Sequence, residues 1–126
     1  MQLRLGARPD KIRDSLFETF ALSCQIGDPC WEATAARAIA LTYAAEADLS
    51  LAIEWLEQAR KRCTRETDHY AGMLVNIYAD HAEFCLQAGR AEQANALARE
   101  LLSLAARTHM DSFIPKAVRI IEDTAA

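Results

Sequence analysis

"ALTYAAEADLSLAIEWLEQA", residues 40 to 59, decides the fold. Leu49, Ala52, Ile53, Leu56, Ala59 and then Cys63 recur with the i, i+3, i+4, i+7 spacing of an amphipathic helix, while Glu54, Glu57, Lys61 and Arg62 fall on the opposite side. The residues up to Tyr43 are also strong helix formers, and only a short corner around Ala47 separates the two runs. The stretch therefore predicts two antiparallel helices. Sliding the chain against itself by 42 residues places Ala40, Tyr43, Ala47, Ala52, Leu56 and Ala59 on Ala82, Cys85, Gly89, Ala94, Ala98 and Leu101. The helices thus come in pairs. A hairpin of helices buries one face on its own partner and another on the next hairpin, so small residues at fixed places meet a steric need. Ala40 with Ala52, and Ala82 with Ala94, let the helices of each pair approach closely.

Working outward, Ile12, Leu16, Phe20 and Cys24, with Phe17 beside them, draw the apolar stripe of helix one between Asp10 and Gln25. Helix two runs from "GDPCWEATAARAIAL" (residues 27–41) to about Glu46. Asp28 suits its N-cap, Pro29 its first position, and Glu32 complements its dipole. Cys30 and Trp31 then anchor it to helix one. Asp68 can cap helix four, where Leu74, Ile77, Tyr78, His81, Ala82 and Cys85 share a face before Gly89 ends it. Helix five occupies roughly 91 to 107, with Ala94, Leu97, Ala98, Leu101, Leu102 and Ala105 inward. Asp111 or Ser112 starts helix six, which turns Ile114, Ala117, Val118 and Ile121 inward and tolerates Pro115 in its first turn. Acidic starts at Asp28, Asp68 and Asp111 mark the first helix of each pair.

Composition agrees. The 126 residues are 52% hydrophobic and 25% charged, enough for one domain with a core, and four Gly with three Pro leave little chemistry for hairpins of strands. The expected fold is all-α: about six antiparallel helices stacked as hairpins in a single domain over 1–126, with 1–9 a flexible N-terminal segment. Fourteen basic and eighteen acidic side chains are interspersed, so no electrostatic footprint for a phosphate backbone appears and direct nucleic-acid binding is not expected. No apolar run has the length of a signal peptide core or a membrane span, which points to the cytosol and away from membranes. Cys24, Cys30, Cys63 and Cys85 form no CxxC pair and no zinc spacing, so they read as reduced thiols, most of them buried.

The order of small residue, aromatic, turn, alanine, bulky residue and alanine at Ala40, Tyr43, Ala47, Ala52, Leu56 and Ala59 resembles the tetratricopeptide repeat over about residues 29 to 108. Ala47 stands where that family has a turn glycine, and the period is longer. The longer period, with "GDPCWEATAARAIALTYAAEADLSLAIEWLEQARKRC" and "LLSLAARTHM", is similar to the helical-repeat region of LuxR-type ATPase transcription regulators, which are bacterial. That resemblance implies a non-catalytic sensor or scaffold region that binds a protein or peptide. ATPase and DNA-reading functions do not transfer, because no GxxxxGK[ST] loop and no helix-turn-helix segment is present. If the hairpins stack as the resemblance implies, first helices line a concave side, offering Thr34, Arg37 and Leu41 from helix two and Asn76, Asp80 and Glu83 from helix four to a partner. The lysine and asparagine clamp of carboxylate-binding repeats is absent as a pattern.

Other chemistry is weaker. A thiol at Cys30, in the first turn of a helix, feels the dipole that favours thiolate, but a nucleophile needs a base, and no spacing brings His69, His81 or His109 to it. His81 and Cys85, four apart, could hold a metal only with further ligands; their place on the core stripe favours packing, and no metal, cofactor or catalytic residue is expected. Tyr43, Trp55 and Tyr78 read as core. "EQARKRCTRE" (57–66), with Arg60, Lys61, Arg62 and Arg65, reads as a solvated charged face. The alternative to the scaffold is a small-molecule effector module with a pocket between helices two, four and six. Helix one and helix six are half-pairs whose Phe17, Phe20, Ile114, Val118, Ile120 and Ile121 are not polar enough for caps, which predicts self-association as a homodimer through a terminal helix, or a neighbouring domain.

Overall fold

The computed structural model describes residues 9–64 and 71–125. Six helices follow one another: α1 (Pro9–Ile26), α2 (Pro29–Ala45), α3 (Leu49–Cys63), α4 (Ala71–Gln87), α5 (Ala91–Arg107) and, after a 3-10 turn at Asp111–Phe113, α6 (Ile114–Asp123). No strand occurs among the described residues, so the all-α expectation holds. Residues 1–8, Arg65, Asp68 and His69 lie outside the described residues; Pro9 opens α1. The chain divides into two compact units, Met1–His69 with α1 to α3 and Tyr70–Ala126 with α4 to α6.

In the first unit α2 packs against both α1 and α3. Its Ala33, Ala36, Ile39 and Ala40, and Ala52, Leu56 and Ala59 of α3, are completely buried. Small side chains are what permit helices to approach this closely without overpacking. Trp55 of α3 meets Phe17 and Phe20 of α1 in edge-to-face arrangements at ring separations of 5.5 and 5.2 Å. Two arginines fasten the ends. Arg13 of α1 donates from Nε to Thr42 Oγ1 at 3.0 Å, pairs with Glu46 and lies 3.8 Å over the Tyr43 ring, which puts its charge at the negative end of α2. Arg62 of α3 donates from Nε to Glu32 Oε1 in the first turn of α2 at 3.1 Å and lies over the Phe20 ring at 4.8 Å.

In the second unit α5 packs against α4 and α6, and α4 also meets α6. Ala82 and Cys85 of α4, Ala94, Ala98, Leu101 and Ala105 of α5, and Ala117 and Ile120 of α6 are completely buried.

The corners explain why the hairpins close tightly. Each of the four corners among the described residues contains one residue in the left-handed region: Gly27 (φ 79°), Ala47 (62°), Gly89 (79°) and His109 (59°). After α4 the Arg90 N–H donates to Cys85 O at 2.8 Å and Gly89 N–H to Leu86 O at 3.1 Å; after α2 Asp48 N–H donates to Tyr43 O and Ala47 N–H to Ala44 O, both at 2.9 Å. These are the paired backbone bonds of the Schellman motif, and they satisfy carbonyls the helix end leaves over. The bond from Asp28 N–H to Ser23 O (3.3 Å) at the first corner recurs at the last as Met110 N–H to Ala105 O (2.9 Å).

Two registers relate the parts of the chain. Shifted by 42, the bounds of α2 become those of α4, and α5 starts 42 residues after α3. A second register, of 82, relates α1–α2 to α5–α6. It carries Gly27 to His109 and the bond of Arg13 to Thr42 into the bond of Asn95 Nδ2 to Thr124 Oγ1 at 2.9 Å. Thr42 and Thr124 each turn their hydroxyl back to the carbonyl three residues earlier, Ile39 O and Ile121 O.

The structure corrects several details. Trp31 is exposed and does not anchor α2 to α1, since it lies at the end of the stripe where α1 has run out. Cys24 is exposed, on the edge of α1 away from Leu16, which is buried. On α6 the inward residues are Ala117 and Ile120, and Val118 is exposed. Asp111 makes no cap bond; it begins the 3-10 turn that leads into α6. Two of the four thiols, Cys63 and Cys85, are buried, and none is in a disulfide.

Candidate functional site

The expected binding strip falls on two helices in different units, and each half stands by itself. On α2, Thr34, Arg37 and Leu41 are all half-buried and spaced i, i+3, i+7, so they share a side of the helix. α2 is held at its N-terminus by Asp28, whose Oδ1 accepts from Cys30 N–H at 3.0 Å and Trp31 N–H at 3.4 Å. Thr34 uses its hydroxyl locally, donating to Cys30 O at 2.8 Å, which leaves its methyl and the Leu41 side chain as the apolar part of this side.

On α4, Asn76, Asp80 and Glu83 are likewise half-buried and spaced i, i+4, i+7. Asn76 donates from Nδ2 to Gly72 O at 2.8 Å. Glu83 accepts from Arg119 Nη2 of α6 at 2.8 Å, and Arg119 also approaches Asp123 at 3.5 Å. The bond and charge of Glu83 hold the Arg119 guanidinium above its ordinary value. Nothing local in the sequence ties Arg119 to Glu83, 36 positions earlier.

Cys30 is half-buried beneath the capping aspartate, in the first turn of α2. His81 and Cys85 are both completely buried on the inner side of α4. Among the described residues no group of three or more His, Cys, Asp and Glu is arranged to hold a metal ion. In the charged stretch 57–66, where described, Arg60 pairs with Glu57 at 2.6 Å, Arg62 pairs with Glu32 of α2, and Lys61 is exposed. No described helix is long and apolar enough to cross a membrane.

Two open grooves lie in the second unit, where α5 begins. One, of about 460 Å³, is lined by Gly89 to Gln93; the other, of about 570 Å³, by Ala91, Glu92, Asn95, Arg99, Thr124 and Ala125. Their walls mix charged and polar side chains, among them Arg90, Glu92, Gln93 and Arg99, with alanines, a poor match to the mostly apolar, enclosed sites that hold small molecules. No protein-family model matches the chain, and neither does a curated protein or a solved structure.

Proposed function

We propose that the chain is a non-catalytic, tetratricopeptide-like scaffold that binds a protein or peptide through the sides of its first-of-pair helices, Thr34, Arg37 and Leu41 on α2 and Asn76, Asp80 and Glu83 on α4. The observation that supports this reading is the 42-residue repetition of one helix hairpin, with the same bounds for its first helix and the same left-handed corner. Repeated hairpins offer recurring helix sides, each of which can meet part of a partner. The half-buried, mixed polar and apolar character of both triplets fits such a role. By its resemblance to the repeat region of LuxR-type regulators, the scaffold serves in the cytosol as the regulatory or sensor segment of a bacterial transcription regulator.

Charge reversal tests the strip. Affinity capture from the native cell extract with the wild-type chain, Arg37→Glu and Asp80→Arg should show a shared protein lost from both variants while their melting temperatures stay close to wild type. An unchanged set of captured proteins removes the strip as the binding surface.

A further inference from the structure

The large hydrophobic side chains left exposed among the described residues are Leu22 (57%), Ile26 (70%), Trp31 (61%) and Val118 (37%). They are not scattered. In the 82-residue register Leu22 holds the place of Leu104, Ile26 that of Thr108 and Trp31 that of Phe113. Leu104 is buried at 8%, and Thr108 and Phe113 are half-buried, in the unit where α4 packs on both α5 and α6. Among the described helices of the first unit, none packs on both α1 and α2 at the corresponding corner as α4 packs on α5 and α6. Leu22 and Ile26, four apart, share one side of α1, and Trp31 follows in the first turn of α2.

Val118 marks the converse. It holds the place of Ala36, which is completely buried in the first unit, where α2 packs on both α1 and α3. Ile114 and Ile121, half-buried, stand at the places of Glu32 and Ile39, both buried there. α6 therefore carries the face with which α2 meets α3, but no described helix lies on it. In terms of the pairs, α1 is placed as a second helix and α6 as a first helix, and among the described residues neither has its pair partner packed on it.

We infer that these two faces cover each other between copies of this chain. The α6 of one copy lies along α1 and the first turn of α2 of the next, setting Ile114, Val118 and Ile121 against Leu22, Ile26 and Trp31 and completing the interrupted pair. The contact joins unlike faces, so each copy retains one open face and association proceeds head to tail rather than stopping at a two-fold dimer. It is weak. Ser15 and Thr19 of α1 hold the places of Leu97 and Leu101, which confines the apolar contact to the last turn of α1 and the corner beyond it. A patch of three side chains falls short of the roughly 800 Å² per partner of a stable interface, so association belongs in the high-micromolar range. This inference needs no other protein and stands apart from the scaffold reading.

The test is sedimentation velocity of the full chain from about 20 μM to about 1 mM, in reducing buffer because Cys24 is exposed. The wild type should sediment faster as concentration rises, without a plateau at the dimer. Ile26→Glu and Val118→Glu, each on an exposed side chain, should each remain monomeric at the highest concentration, and an equimolar mixture of the two should form dimers and nothing larger, because one intact face of each kind remains. Ile26→Ser and Val118→Ser repeat the experiment if either glutamate variant melts early. A monomeric wild type at about 1 mM, association indifferent to both substitutions, or a mixture that stays monomeric overturns the inference.

Discussion

Arg62, in the last turn of α3, donates its Nε hydrogen to the carboxylate of Glu32 in the first turn of α2, and this bond closes one end of the first hairpin. The Glu32 side chain is 4% exposed and that of Arg62 22%. A carboxylate so deeply buried is tolerable because it has a guanidinium on one side and the positive end of α2 beside it. Removing the cation takes one partner from a deeply buried carboxylate, so Arg62→Met should destabilise the chain by about 1–3 kcal/mol in denaturant unfolding. The double variant Glu32→Leu with Arg62→Met should recover most of that loss. Equal losses in the single and double variants would mean that the pair is immaterial and only the packing of Arg62 on Phe20 matters.

Ala47 and Gly89 occupy the same left-handed corner position in successive hairpins, one with a Cβ and one without. Nothing lies within 4 Å of where a Cβ on Gly89 would sit, so the difference between them is backbone strain alone. A left-handed alanine costs about 1 kcal/mol against glycine once the greater freedom of unfolded glycine is counted. Ala47→Gly should therefore raise stability by up to about 1 kcal/mol and Gly89→Ala should lower it by about the same amount. Thermal melts of the two variants should move in opposite directions; shifts of the same sign would show that the corners are not equivalent.

These corners also show what could be read in advance. The long amphipathic stripes of α3 and α5 were legible because five or more apolar positions agree on one face, and α5 was placed at its observed bounds. α6 was not. Ten residues with Ile114, Val118, Ile120 and Ile121 spread around them do not single out a side, and only packing on α5 chooses Ala117 and Ile120. Trp31 misled for a different reason: its size argues for burial, but its neighbours in space are set by where α1 ends. The candidate strip was legible as positions beside the core stripe, while the arginine that engages Glu83 and the bonds of Arg13 to Thr42 and Asn95 to Thr124 span 29 or more residues and carry no local signal.

The alanines of the repeat give a steric prediction. Ala40 and Ala82 are completely buried at corresponding places of the two hairpins, and each is followed twelve residues later by another buried alanine, Ala52 and Ala94. A larger side chain there has to push the helices apart or leave its rotamer. Ala40→Leu and Ala82→Leu should each destabilise by about 1–3 kcal/mol, whereas Ala21→Leu, on an exposed position of α1, should change stability by less than about 0.5 kcal/mol. Equal effects at the three positions would contradict close packing at the repeat alanines.

Arg119 and Glu83 join α6 to α4 across the second unit with side chains 48% and 25% exposed. In such a setting the pair contributes about 0.2–1 kcal/mol and is screened by salt. Arg119→Gln should therefore lower the melting temperature slightly at low ionic strength, and the gap from wild type should shrink in about 1 M NaCl, where the Debye length is about 3 Å. Because the folded-state pKa of Arg119 is raised, its contribution is fully present below the arginine's unfolded value and is lost only as pH rises through the raised one. Between about pH 7 and about pH 10 the gap should consequently stay level. A gap that closed over that interval would show that the bond to Glu83 is not what Arg119 supplies; a gap unaffected by salt would point instead to packing of its methylenes along α6.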